Sequence, residues 1–164
     1  MYEKFGEFDS VEELNKAAAG FAREGDFDSV YELAKENGLE KEDADDYLDG
    51  ITEELANLTM AAQGKLDLEE NDKQVKDMMD KMALNVILLM LRGMCDSEEM
   101  QKAILKKGKR AKNILQEMRE TAKKHASGNM GVSCGTDKQL REIIKAYYLE
   151  DEQTFKNKIE SIYK

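Results

Sequence analysis

The sequence predicts an all-α protein, an irregular multi-helix bundle in which short N-terminal helices pack on a long central apolar helix. Three observations lead there. Proline, which breaks helix interiors, is absent from the 164 residues. Alanine, leucine, lysine, glutamate and methionine, all good helix formers, fill the chain, while runs of valine, isoleucine and threonine are missing. Apolar residues recur at three- and four-residue spacing from Val11 to Ile162, the period of a helix with one buried face.

The elements follow in order. Ser10, with Glu13 three residues on, has the pattern of a capping box. Val11, Leu14, Ala17, Ala18 and Phe21 make the first stripe, and Gly25 supplies a left-handed stop. Asp26 can cap a second short helix striped by Phe27, Val30, Tyr31 and Ala34, which ends at Asn37-Gly38. From Glu42, helical spacing runs through Ala44, Tyr47, Leu48, Ile51, Leu55, Leu58 and Ala62. Gly50 breaks it, and Thr52 with Glu53 and Glu54 resembles a new first turn. Gly64 is expected to end this group. Residues 1–66 therefore read as an acidic N-terminal helical unit.

Asp67 to Asp72 reads as a polar connector to the longest helix, about residues 73–94. Its second half, Leu84 to Leu91, is apolar nearly all round, which marks the centre of a bundle. Asp96-Ser97 with Glu98 and Glu99 starts another helix, and Gly108 ends or kinks it. A helix from about Lys109 to Ala126 follows, then a glycine-rich loop over Ser127 to Gly135. Thr136 with Gln139 repeats the capping-box pattern before Leu140, Ile143, Ile144 and Tyr147. Phe155, Ile159 and Ile162 outline a terminal helix. Residues 73–164 thus form the second region, a helical bundle with a basic cluster and C-terminal helices.

With 41% apolar and 37% charged residues, the composition is that of a globular but highly charged chain. Cys95 and Cys134 stand in no metal-ligand spacing and suit a reduced, cytoplasmic setting, with Cys95 a buried small hydrophobe. The run Met82 to Leu91, broken by Asn85, is too short for the roughly 20 residues of a membrane span. Net charge is −10 and unevenly spread: residues 1–100 hold 27 acidic and 10 basic side chains, residues 101–164 hold 8 and 15.

The residues of a catalytic site are mostly missing. The one histidine, His125, follows Lys123 and Lys124 where a cation suits the carbonyl end of a helix. A nucleophile–base pair would need it to meet Ser133 or Cys134. No zinc-protease, paired-cysteine or phosphate-loop motif occurs. The cluster Asp43, Asp45, Asp46, Asp49 fails the calcium-loop template, because Leu48 stands where the loop needs glycine. The expectation is a non-enzyme without cofactor or metal.

Three features read as surfaces. Residues 1–66 carry 18 acidic and 6 basic side chains. Their carboxylates, Asp43, Asp45, Asp46, Asp49, Glu53 and Glu54 among them, can imitate the charge rows of a nucleic-acid backbone or simply serve solubility. The basic cluster Lys102, Lys106, Lys107, Lys109, Arg110 and Lys112 can touch phosphates, or pair with the acidic half. Met78, Met79, Met82, Met90 and Met94 suit a core or an adaptable protein-binding groove. Nothing in the sequence sets an oligomeric state.

The opening from Met1 to Ser10, continuing through Glu12-Glu13-Leu14-Asn15-Lys16-Ala17-Ala18-Ala19, carries a resemblance that resumes at Leu33-Ala34 with Glu36-Asn37-Gly38. It runs on at Glu42-Asp43-Ala44 with Asp46-Tyr47 and Asp49-Gly50, and at Met60-Ala61-Ala62 with Gly64-Lys65-Leu66. Lys106-Lys107-Gly108-Lys109 and the stretch Ile143 to Asp151 belong to it as well. With these segments the chain resembles the PcfK-like family of conjugative-element proteins over about half its length. One branch of that family inhibits the type II RNA-guided nuclease. The resemblance implies a protein partner, either that nuclease or a mobile-element protein, with direct nucleic-acid binding as the lesser alternative. The rival reading is an accessory protein of conjugation or mobile-element maintenance.

Overall fold

The computed structural model describes residues 2–126 and 135–163. Its elements are all helical, and the described residues divide into two compact units. The first comprises residues 1–72 and 95–108, the second 73–94 and 109–164. This differs from the linear division at 66 and 73, because the chain leaves the first unit after Asp72, returns at Cys95, and leaves again after Gly108. The charge asymmetry is nearly as strong between the units as between residues 1–100 and 101–164. Residues of the first number 25 acidic and 9 basic, net −16; those of the second number 10 and 16, net +6, which together give −10.

In the first unit, α1 (Val11–Glu24) starts as expected, with the Ser10 hydroxyl accepting from the Glu13 N–H, and stops at Gly25 with φ +74°. The Asp26 carboxylate accepts from the Ser29 N–H to start α2 (Phe27–Glu36). In α3 (Lys41–Leu48), Glu40 and Asp43 cap each other's backbone. Gly50 does break the pattern, at φ +74°. The next helix, however, begins not at Thr52 but at α4 (Leu58–Glu70), where Asn57 caps the Met60 N–H. The irregular stretch between is pinned from α1: the Asn15 amide donates to Ala56 O at 2.8 Å and accepts from Ala56 N at 3.1 Å.

Two expectations about α4 are overturned together. Gly64 does not end the helix, and most of the supposed connector Asp67–Asp72 is helical. Glycine in a helix interior costs about 1 kcal/mol relative to alanine, yet here its bare backbone lies against the α2–α3 turn. A methyl group at Gly64 would stand 2.4 Å from Asn37 O.

The helix α6 (Glu98–Leu105), capped by Ser97, packs on α4. Val11, Leu14, Ala18, Val30, Leu33, Ala34, Ala44, Leu55, Ala61 and Leu105 form one core. Phe27 and Ile51, expected in the stripes, are exposed. Phe27 is the first residue of α2, and Ile51 lies past the end of α3.

The N-terminal segment is anchored by one carboxylate. Glu36 accepts backbone N–H groups of Glu3 (2.9 Å), Lys4 and Phe5 (3.0 Å). Burial pushes its carboxyl up, but the three donors outweigh burial and hold it below the usual carboxylate range. A depressed folded-state pKa contributes stability that is present above the unfolded value near about 4.3 and is lost as pH falls through the folded one. The protection of the amides of residues 3–5, relative to their intrinsic exchange rates, is therefore expected to fall selectively as pH drops below about 4. Glu36→Gln should remove that step; an unchanged pH profile in the variant would refute the anchor.

The second unit contains α5 (Met78–Arg92), α7 (Ala111–His125), α8 (Asp137–Leu149), α9 (Glu152–Glu160) and a closing 3-10 turn, Ser161–Tyr163. The long central helix expected over 73–94 is shorter. It begins only where Asp77 caps the Met79 and Asp80 N–H groups, and it is not buried all round. Leu84, Ile87, Leu88 and Leu91 are buried, while Met78, Met79, Met82, Val86 and Leu89 are 46–76% exposed. α5 packs on α7 and α8, and α9 on both α7 and α8. The Thr136–Gln139 capping box forms as expected.

Tyr147 is a hub of this unit. Its hydroxyl accepts from Arg110 N at 3.1 Å and Asn113 Nδ2 at 2.9 Å, and its ring meets Phe155 edge-on. Arg119 binds Asp80 and so ties α7 to α5. Among the described residues no helix is long and apolar enough to cross a membrane.

Candidate functional site

The acidic residues singled out in the sequence separate into two sets. Asp43, Asp46, Glu53 and Glu54 line one depression of about 260 Å³, with Thr52, Leu55, Asn57 and Met60 completing its wall. The Asp46 carbonyl draws residues 51–54 back over α3, accepting from Ile51 N at 2.8 Å and Thr52 N at 3.2 Å. The Gly50 turn makes that reversal possible. Four carboxylates thereby share one concave surface, with Glu53, Glu54 and Asp46 exposed.

Asp45 and Asp49 do not line it. The Asp45 carboxylate is held by Lys41 Nζ at 2.8 Å and by the Tyr31 hydroxyl at 2.6 Å. The Lys41 hydrogen bond, then that of Tyr31, keeps Asp45 below the usual carboxylate range, and the same contact raises the Tyr31 phenol. Asp49 is exposed and caps the end of α3 through its backbone. Among the described residues no group of three or more His, Cys, Asp or Glu is placed to hold a metal ion.

The basic cluster is not brought into one unit. Lys106 and Lys107 belong to the first, Lys109 and Arg110 to the second. The backbone of this stretch is engaged: Lys107 N donates to Asp9 at 2.8 Å and Gly108 N to Glu7 at 3.1 Å. Lys109 Nζ reaches Tyr147 O and lies 4.4 Å from the centre of that ring. Lys112 Nζ donates to Gln74 Oε1 at 2.6 Å, and Lys102 pairs with Glu98.

A different basic surface lies within the second unit, a depression of about 370 Å³ whose cations are Lys76, Lys112, Arg119 and Lys123, with Asp80 and Glu120 beside them. Lys112, Arg119 and Lys123 fall at i, i+7 and i+11, one helix face, so the spacing was legible. The denser run at 106–112 obscured it.

His125 ends α7 as expected. Its Nε2 lies 2.6 Å from Glu160 Oε2 and its ring stacks on Tyr163 at 4.9 Å. Its supposed partners Ser133 and Cys134 lie outside the described residues. Cys95 is buried, and burial, with Asp96 adding to it, raises its thiol above the usual range.

Fold and surfaces together define an all-helical protein of one acidic and one basic unit, with a carboxylate-lined depression on the first. No family model, curated protein or solved structure matches the chain.

Proposed function

We propose that this chain is a non-enzymatic inhibitor that binds a protein through its acidic unit, occupying a basic groove built for nucleic acid. The supporting observation is the depression where Asp43, Asp46, Glu53 and Glu54 converge on a unit of net charge −16. Such a field accelerates encounter with a cationic groove and repels nucleic acid itself. The resemblance to the PcfK-like family offers two partners, the type II RNA-guided nuclease and a mobile-element protein, and a groove built for nucleic acid favours the first. That enzyme class holds its RNA–DNA duplex in a positively charged channel and reads its short DNA tag with arginines.

The test is cleavage of target DNA by purified nuclease and guide with this protein added. Wild-type chain should suppress cutting. The variant Asp46→Lys/Glu53→Lys/Glu54→Lys, whose sites are exposed, should need about tenfold more protein or higher for the same effect. Undiminished cutting at large molar excess would sink the nuclease reading. Inhibition untouched by the triple reversal would sink the acidic-surface mechanism alone.

The rival, a conjugation or mobile-element accessory protein that binds DNA, draws on the depression lined by Lys76, Lys112, Arg119 and Lys123. A gel shift that weakens with salt, and is lost on Lys76→Glu/Lys123→Glu, would favour it. A shift lost instead on replacing Lys106, Lys107, Lys109 and Arg110 would assign DNA contact to the sequence cluster.

A further inference from the structure

The acidic unit is discontinuous: residues 95–108 return to it after the chain has left at Asp72. Residues 3–9 touch both pieces. At their start, the Glu36 carboxylate of α2 accepts the Glu3, Lys4 and Phe5 N–H groups. Lys4 pairs with Glu32 on the same helix, and the Phe5 ring lies 5.3 Å from that of Phe21 on α1. At their end, Asp9 accepts from Lys107 N at 2.8 Å and Glu7 from Gly108 N at 3.1 Å. Glu7 also pairs at 2.7 Å with Lys65, whose ammonium donates to Leu105 O and Lys106 O. Between the two ends Gly6 turns the chain at φ +80°.

No helical hydrogen-bond ladder holds residues 3–9, so their order depends on these distant contacts. Packing alone does not close the second end. Val11, Leu58 and Leu105 line a depression of about 190 Å³ there, together with Asp9, Lys102 and Lys106. We propose that residues 3–9 are a two-ended latch: seated on α2 at one end, they hold the end of α6 on the acidic unit, and release of either end frees both. The reason is entropic. Fixing the backbone of the whole segment costs more than either set of hydrogen bonds returns alone, so the ends seat together. A carboxylate on α2 thereby governs the end of α6. Opening frees the stretch from Lys106 to Gly108, the point where the chain leaves this unit for the second time. The latch shares no residue with the carboxylate-lined depression, so the two readings stand or fall separately.

Amide exchange of the full chain, read residue by residue by NMR at one pH, tests it. In Glu36→Ala the amides of residues 3–5 lose their charged acceptor. Those of Lys107 and Gly108, whose own acceptors are untouched, should also exchange about tenfold faster or more. Asp9→Ala should act in the other direction, speeding residues 3–5 by about the same factor although Glu36 is intact. The amides from Leu14 to Ala22, inside α1, should keep wild-type protection in both variants. Lys107 and Gly108 amides that stay protected in Glu36→Ala overturn the latch, as do residues 3–5 that stay protected in Asp9→Ala. So does a rise shared by α1, because the unit then opens as a whole and not at the strap.

Discussion

Gly64→Ala is expected to destabilise the acidic unit by about 3 kcal/mol or more, a loss of roughly 12 °C or more in its melting temperature. The cause is backbone against backbone. A Cβ at Gly64 would lie 2.4 Å from Asn37 O and 2.9 Å from Gly38 O, and one at Gly38 would lie 2.2 Å from Gly64 O. No flexible side-chain end is available to swing away, so α4 must move off the α2–α3 turn and open the core that Leu33, Ala34 and Ala61 share. Gly38 is doubly constrained, because its φ of +71° also disfavours any residue with a Cβ. Gly20, inside α1, makes the control. A methyl group there meets nothing within 4 Å, so Gly20→Ala should stabilise by about 0.5–1 kcal/mol through helix propensity. Urea unfolding of both variants is the measurement. Equal and small effects would show that the two backbones are not in close approach.

Lys65→Met is the second large effect, expected at about 3–5 kcal/mol. Lys65 is 3% exposed and lies 2.7 Å from Glu7, which is 9% exposed. Its ammonium also donates to Lys106 O at 3.1 Å and to Leu105 O at 3.5 Å. Glu7 in turn accepts from Gly108 N. One buried cation therefore joins the N-terminal segment, α4 and the end of α6. Methionine fills the space but removes the counter-ion of the Glu7 carboxylate and a donor to two carbonyls, and taking away the partner of a buried charge is what makes such losses large. Removing Glu7 as well should recover only part, since the carbonyls stay without their donor. The exposed Lys102–Glu98 pair is the contrast: Lys102→Ala should leave unfolding unchanged. If Lys65→Met unfolds at the same urea concentration as wild type, the pair is not buried as described.

Most helix starts were legible because a cap is a local event. Ser10, Asp26, Ser97 and Thr136 each close a hydrogen bond within three residues, and the structure shows all four. Gly25 and Gly50 acted as expected for the same reason, since a positive φ needs no distant partner. Gly64 was misread because its purpose lies across the fold, in a turn 26 residues earlier in the chain. The start of α4 at Asn57 was hidden by Thr52, whose hydroxyl donates to Glu54 O within a turn instead of capping a helix.

The candidate site was half legible. Counting charge found the acidic residues, yet could not tell Asp43 and Asp46 from Asp45, which Lys41 and Tyr31 occupy. That distinction depends on which way each carboxylate faces once residues 51–54 fold back. The basic cluster failed for the converse reason: neighbours in sequence are shared between two units, because the chain crosses from one to the other at Gly108.

Helicity, the start of most helices and the polarised charge were thus readable from the residues alone. These follow from propensity, capping and composition, which act over a few residues or need no geometry at all. Packing set the rest: that α6 joins the acidic unit, that Gly64 and Gly38 meet, and which apolar residues of α5 are buried. Each of these depends on which surfaces touch, and hydrophobic periodicity says that a face is apolar without saying what covers it.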